Sequence, residues 1–230
     1  MQLSIILLNK STMTTNLPEG TECISVSQGT VNWNRKRKVA PHQWQISYSK
    51  NQTMGAGLVA GGMQAKGEII LFWNSESTPR PELILPYTEA IRDGASVVMT
   101  KPVGICEKNL NGARLSAITL NRMLKRPDLG AASLSIGPFA ITRQALSSIG
   151  NRLLAVPPKF LVACLQGELP IKTISVRRLD TSKAVPDETT VIQETMQAIS
   201  EWIRFKGERG GFTDMKRARD LFKPKDGGVR

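Results

Sequence analysis

A carboxamide and a carboxylate stand two residues apart in Asn74-Ser75-Glu76, directly after the apolar run Ile69-Ile70-Leu71-Phe72-Trp73. Two oxygens at that spacing can face one hard cation. Glu76 brings the charge and Asn74 a neutral carbonyl, and magnesium or manganese accepts one or two carboxylates when phosphates complete its shell. The structural alternative is that Glu76 caps the turn that follows, since a short motif is read through its context. The other reactive groups are scattered. Asp128 lies in Arg126-Pro127-Asp128-Leu129-Gly130, where a carboxylate acts either as a base or as a loop cap. Arg143 suits either a phosphate or an ion pair. His42 is the single histidine, and Cys23, Cys106 and Cys164 are isolated, so a Cys/His metal centre is not expected. Gly55, Gly57 and Gly61 have the wrong spacing for a dinucleotide fingerprint and read better as packing glycines.

The elements that must position these groups follow from periodicity. Met54 to Ala65 is a small-residue helix, with Lys66-Gly67 as its stop. Glu68 to Trp73 is a buried strand, and ligands of open α/β sheets sit outside the carboxyl ends of such strands. Upstream, Leu3–Leu8 is a first strand, Asn9–Gly20 a polar loop, Thr21–Val26 a second strand and Ser27–Thr30 the loop after it. Arg35–Lys38 reads as a solvated charge run on a helix or loop, and Gln45–Ser49 as a short strand. Downstream, Pro81–Asp93 is helical, its regular part beginning at Pro86. Ala95–Met99 is a strand and Gly104–Asn111 a loop. Gly112–Lys125 is a helix with an Ala113, Ala117, Leu120, Leu124 stripe. A short helix opens at Thr142-Arg143, another spans Pro157–Gln166, and Ile171–Arg177 is a late strand. After a linker, Thr181–Glu188, an amphipathic helix covers Val191–Lys206 with Ile192, Met196, Ile199 and Ile203 as its stripe. A basic helix, Met215–Phe222, follows. The sum is an α/β domain over residues 1–180, with a mostly parallel sheet flanked by helices, and a helical extension over 181–230.

The chain has 230 residues, 40% of them hydrophobic, and a net charge of +12. That charge favours anionic partners, such as nucleotide diphosphates or an anionic membrane face, though solubility alone accounts for part of it. No apolar run reaches membrane-spanning length, and Met1–Leu8 is followed too soon by polar residues for a signal peptide. Isolated thiols suit a cytoplasmic protein.

The series from the glycine-containing helix through Asn74-Ser75-Glu76 to Thr78-Pro79-Arg80-Pro81-Glu82-Leu83 resembles family 2 glycosyltransferases of the GT-A fold. Asn74-Ser75-Glu76 occupies the slot of that family's Asp-x-Asp, and the resemblance covers most of the chain. It implies a Rossmann-like GT-A sheet, a nucleotide-sugar donor, and a magnesium or manganese ion weakly held by Glu76 and Asn74. It places Ser27 and Gln28 in the family's nucleotide loop, where Asp-Asp-Gly-Ser is common, and sets Gly55, Asn74 and Glu76 beside the donor. Gly137 to Arg143 resembles the acceptor-side motif. The family's base opens a later helix. Here that position reads Leu154-Ala155-Val156-Pro157-Pro158 without an acid; Asp128 is a candidate substitute base beside its loop-cap reading, and Arg143 a candidate catalytic residue beside its ion-pair reading. The expected activity is sugar transfer to an unidentified acceptor. The alternatives are a nucleotide-sugar binder without turnover and a basic protein of anionic surfaces. No recognised nucleic-acid motif is present, so a specific nucleic-acid partner is not expected. Peripheral contact of a cytoplasmic protein with anionic membrane, through the C-terminal tail, is.

Overall fold

The computed structural model describes residues 2–8, 17–29, 37–49, 53–102, 110–176, 179 and 187–207, with backbone alone at 28–29 and 48–49. The expectations for Thr30, Arg35, Lys36, the loop at 104–109, most of the 181–188 linker and the basic segment Met215–Phe222 lie outside these residues.

The core is one sheet of eight strands. In chain order they are β1 (Leu3–Leu8), β2 (Glu22–Gly29), β3 (Arg37–Ala40), β4 (Gln43–Ser49), β5 (Ile69–Trp73), β6 (Val97–Thr100), β7 (Phe139–Thr142) and β8 (Ile171–Ile174). Their spatial order is β3-β4-β2-β1-β5-β7-β6-β8. β1, β2, β4, β5, β6 and β8 share one direction, and β3 and β7 oppose them. The sheet is therefore mixed, with a mostly parallel body. β1 and β5 are buried at every residue. Strands covered on both faces need no polar alternation, which is why both read as continuous apolar runs.

Six helices complete the domain: α1 (Met54–Gln64), α2 (Pro81–Arg92), α3 (Gly112–Met123), α4 (Arg143–Ile149), α5 (Pro157–Gln166) and α6 (Glu188–Lys206). On one face of the sheet Ile6, Ile24, Phe72 and Phe139 form a core with Leu58 of α1, Leu120 of α3, Phe160 of α5 and Trp202 of α6. On the other face Ile5, Leu71, Trp73 and Val98 meet Leu83, Ile84 and Tyr87 of α2.

Several boundaries differ from the sequence expectation. Ser27-Gln28-Gly29 continues β2 instead of looping, because β4 pairs it as Ser27↔Ser47, Gln28↔Tyr48 and Gly29↔Ser49. Arg37 and Lys38 sit on the exposed edge strand β3, neither helix nor loop; charge on an edge discourages further pairing. α2 begins at Pro81 and carries Pro86 inside. The stop of α1 is Ala65, in extended conformation, and not a glycine cap. α6 buries Val191, Thr195, Ala198, Ile199 and Trp202, so its inner stripe is rotated from the expected one and Met196 is exposed. Trp202 sets that phase by donating its indole N–H to the Met123 carbonyl at 3.1 Å.

Candidate active site

Ser25, Leu7 and Trp73 share one row across β2, β1 and β5. Ser27 thus lies two residues past that row and Asn74 one residue past it, both at the carboxyl end, with only β1 between them. At about 4.8 Å per strand, their backbones stand roughly 10 Å apart. The order also reverses here: from β1 the chain goes to β2 and then β4 on one side, and returns to β5 on the other. This is the switch point at which open α/β sheets leave a crevice.

The turn after β5 is held from within. The Trp73 indole N–H donates to the Ser77 carbonyl at 2.7 Å, and the Ser77 N–H donates to Ser75 Oγ at 3.2 Å. Ser75 is buried, Asn74 half-buried and Glu76 exposed. The Ser75 hydroxyl caps this turn. The Asn74 amide contacts Met54 Sδ at 3.5 Å, bringing the first residue of α1 to the same place. Met54 was not foreseen as a neighbour of Asn74; no local pattern announces a contact across twenty residues.

Beside β5 the chain enters β7 through Ser133–Pro138. Gly137 takes φ +79, a left-handed value that glycine adopts at no steric cost. Thr100, the last residue of β6, donates its hydroxyl to the Pro138 carbonyl at 2.6 Å and shares a short hydrogen bond with the Tyr87 hydroxyl. Burial pushes the Tyr87 phenol well above its ordinary range. These links fix the loop between the ends of β5 and β6, and the sequence reading missed Tyr87 and Thr100.

The remaining candidates do not join this cluster. Gly55 is a packing position: a Cβ there would lie 2.0 Å from the Ala155 carbonyl oxygen, so the 151–155 turn packs against the side a side chain would take. Arg143 stands at the amino end of β5, where Thr142 pairs with Ile69. Its guanidinium donates to the carbonyls of Gly67 at 2.9 Å and Ala65 at 2.5 Å. The length of β5, about 15 Å, separates it from Asn74. Asp128 accepts from Arg126 at 2.9 and 2.7 Å, and that guanidinium holds its carboxyl below the usual range. Arg126 also reaches the Ile171 carbonyl. The pair ties the turn after α3 to β8, a structural use of both charges. α5 opens at Pro157 with no acidic residue in its first turn.

No group of three or more His, Cys, Asp or Glu suited to a metal exists among the described residues. At the switch point the protein offers the Glu76 carboxylate and the Asn74 amide oxygen. That donor set meets the lower limit for magnesium or manganese when phosphate oxygens supply the rest. A cavity of about 720 Å³ opens elsewhere, lined by Leu3, Thr21, Ile69, Ile84, Thr88 and Arg92. It lies at the amino ends of β1, β2 and β5. We place the candidate site at the switch point because the polar loops converge there.

No family model and no curated protein matches this chain. Solved structures do. Glucosyl-3-phosphoglycerate synthase from Mycobacterium tuberculosis, in complex with Mn2+, uridine-diphosphate and phosphoglyceric acid, aligns with a TM-score of 0.56 at 17% identity, over 93% of this chain and 80% of that one. Mannosyl-3-phosphoglycerate synthase from Rubrobacter xylanophilus aligns with a TM-score of 0.55 at 13% identity, over 96% of this chain and 78% of that one. At these identities the likeness is one of fold: the chain has a GT-A-like architecture.

Proposed function

We propose that this chain binds a nucleotide sugar in the crevice between the carboxyl ends of β2 and β5 and transfers its glycosyl group to an acceptor held beside Ser133–Pro138. The observation that supports this reading is that the carboxyl ends of β2 and β5, at Ser27 and at Asn74-Ser75-Glu76, flank β1 at the switch point of a GT-A-like sheet. The similar Mycobacterium tuberculosis structure contains Mn2+ and uridine-diphosphate, which supports the ligand class. Membership of glycosyltransferase family 2 is part of the same proposal.

In this reading the end of β2, at Ser27-Gln28, faces the nucleotide, and the Ser27 hydroxyl hydrogen-bonds it. Glu76 and the Asn74 oxygen hold a divalent ion, which when bound neutralises charge on the leaving diphosphate. Arg80, exposed and six residues beyond Asn74, adds a cation from the same loop. Ser75 and Trp73 fix the turn, so Glu76 is presented without reorganisation of its backbone.

A second reading, binding without turnover, is favoured by the acid-free start of α5 and by the Arg126–Asp128 pair. A carboxylate held ionised by a guanidinium is a poor base. The test is a thermal-shift screen of nucleoside diphosphates and nucleotide sugars with and without Mn2+, since ligands of the folded state raise its apparent stability. Release of free sugar or nucleoside diphosphate from a stabilising donor supports turnover. Stabilisation without release supports the second reading, and no shift with any nucleotide contradicts both.

A further inference from the structure

A surface apart from the crevice forms where α3 and α6 end. The Trp202 bond to the Met123 carbonyl ties the two helix ends together. Around that contact Arg122, Lys125, Arg204 and Lys206 are exposed. Phe205 is exposed as well, 57% of its surface facing solvent. Its ring lies 6.0 Å from that of Trp202, and Lys206 Nζ stands over both, 5.2 and 4.9 Å from their centroids.

Cations in the last turn of a helix have an ordinary explanation, since they complement the carbonyl end of the helix dipole. That explanation covers Arg122, Arg204 and Lys206. It does not cover an exposed phenylalanine set among them, which leaves a large apolar group in water. Aromatic rings flanked by lysine and arginine instead match the boundary of an anionic bilayer, where the ring enters the acyl edge and the cations meet the headgroups. The sequence beyond continues the same chemistry, with seven Lys or Arg against four Asp or Glu between 208 and 230, and phenylalanines at 212 and 222.

We propose that the joined ends of α3 and α6 are a docking surface for anionic lipid, with Phe205 as the inserted group and Arg204 and Lys206 as its headgroup contacts. This moves the expected membrane contact from the C-terminal tail alone to a folded surface. It is independent of the glycosyltransferase reading. No helix among the described residues is long and apolar enough to cross a membrane, so the contact is peripheral.

The test is flotation of the full chain with vesicles of phosphatidylcholine mixed with phosphatidylglycerol, against phosphatidylcholine alone. The proposal expects binding to the mixed vesicles only, weakening as salt rises. Phe205→Ser should lower the partition coefficient by roughly tenfold, and the pair Arg204→Gln with Lys206→Gln by about 25-fold, at about fivefold per cation lost. Thermal unfolding should fall only by the small amount that losing helix-end cations or one surface ring explains, and the response to nucleotides should not change. Wild-type-like flotation of both variants would overturn the proposal, since the tail would then suffice. So would equal binding to neutral vesicles, or absence of any binding. Loss of single-stranded RNA binding in the double variant, with flotation intact, would overturn it in favour of nucleic acid.

Discussion

The two ends of the sheet use charge in opposite ways. At the amino end the charges turn inward. Glu22 is 4% exposed and accepts from the Ser4 hydroxyl at 2.7 Å and the Lys66 N–H at 2.8 Å. Arg143 closes the other side of the same turn through the Ala65 and Gly67 carbonyls. Gly67 is pressed against β1, where a Cβ would meet Ser4 N at 2.6 Å. At the carboxyl end Glu76 and Arg80 face outward, and it is the serines and a tryptophan that hold the backbone. Buried charges survive only when hydrogen-bonded, so the first set serves the fold. The second set is exposed to solvent, with Arg80 3.8 Å from Glu82.

The largest expected effect separates packing from binding at Gly55. Gly55→Val drives a side chain into the Ala155 backbone, which cannot yield cheaply, and should lower stability by about 3 kcal/mol or more. Chemical denaturation would show it. A variant that unfolds like wild type but loses nucleotide would restore Gly55 to the binding site. Next, Arg143→Met removes two charge-assisted hydrogen bonds and strands two carbonyls, for a loss of about 2–3 kcal/mol. Nucleotide affinity measured on the folded variant should not change. Unaltered stability with lost activity would move Arg143 back to the reaction centre.

These two positions also show what the sequence carried. β1, β5, α5 and the inner stripe of α3 were legible because burial on both sheet faces and helical spacing are local patterns. The contacts of Gly55 and Arg143 were not legible for the opposite reason. Their roles are fixed by Ala155 and by the turn at Ala65–Gly67, which are remote in sequence. Ser27–Gly29 read as loop from its composition, yet pairing with β4 makes it strand. The position of Asn74 and Glu76 just past β5 was legible because both follow a strong strand signal. The contact of Asn74 with Met54 and the bond from the Ser77 N–H to Ser75 needed the three-dimensional turn.

A smaller effect tests the rigidity of the carboxyl end. Tyr87→Phe deletes the bond to Thr100 and should cost about 1 kcal/mol in denaturant unfolding, while loosening Ser133–Pro138. Faster hydrogen exchange confined to that loop would mark it as the element Tyr87 supports; unchanged exchange would remove Tyr87 from the account. The smallest effect belongs to Glu194 on α6, whose carboxyl burial pushes up to about 7 from 4.5. The folded state then holds a proton that the unfolded state has released. Stability is full below about pH 4.5 and declines as pH rises to about 7. Solvent reaches this half-buried group, so the loss is below about 1 kcal/mol. Glu194→Gln should flatten that decline, raising thermal stability at pH 8 and leaving it unchanged at pH 4. The same slope in both proteins would show that another group carries it.

If, as proposed, the switch point is a donor site, Glu76 is its single anionic metal ligand. Calorimetry of uridine, guanosine and adenosine diphosphates, with and without Mn2+, tests it most directly on wild type, Glu76→Gln and Asn74→Asp. With one carboxylate, Mn2+ alone should bind weakly, because hard cations surrender water reluctantly without anionic oxygens. One diphosphate should bind without metal and gain modestly from it. Glu76→Gln should abolish that gain, and Asn74→Asp should enlarge it. Tight Mn2+ binding to the ligand-free protein, unchanged in Glu76→Gln, would contradict the account.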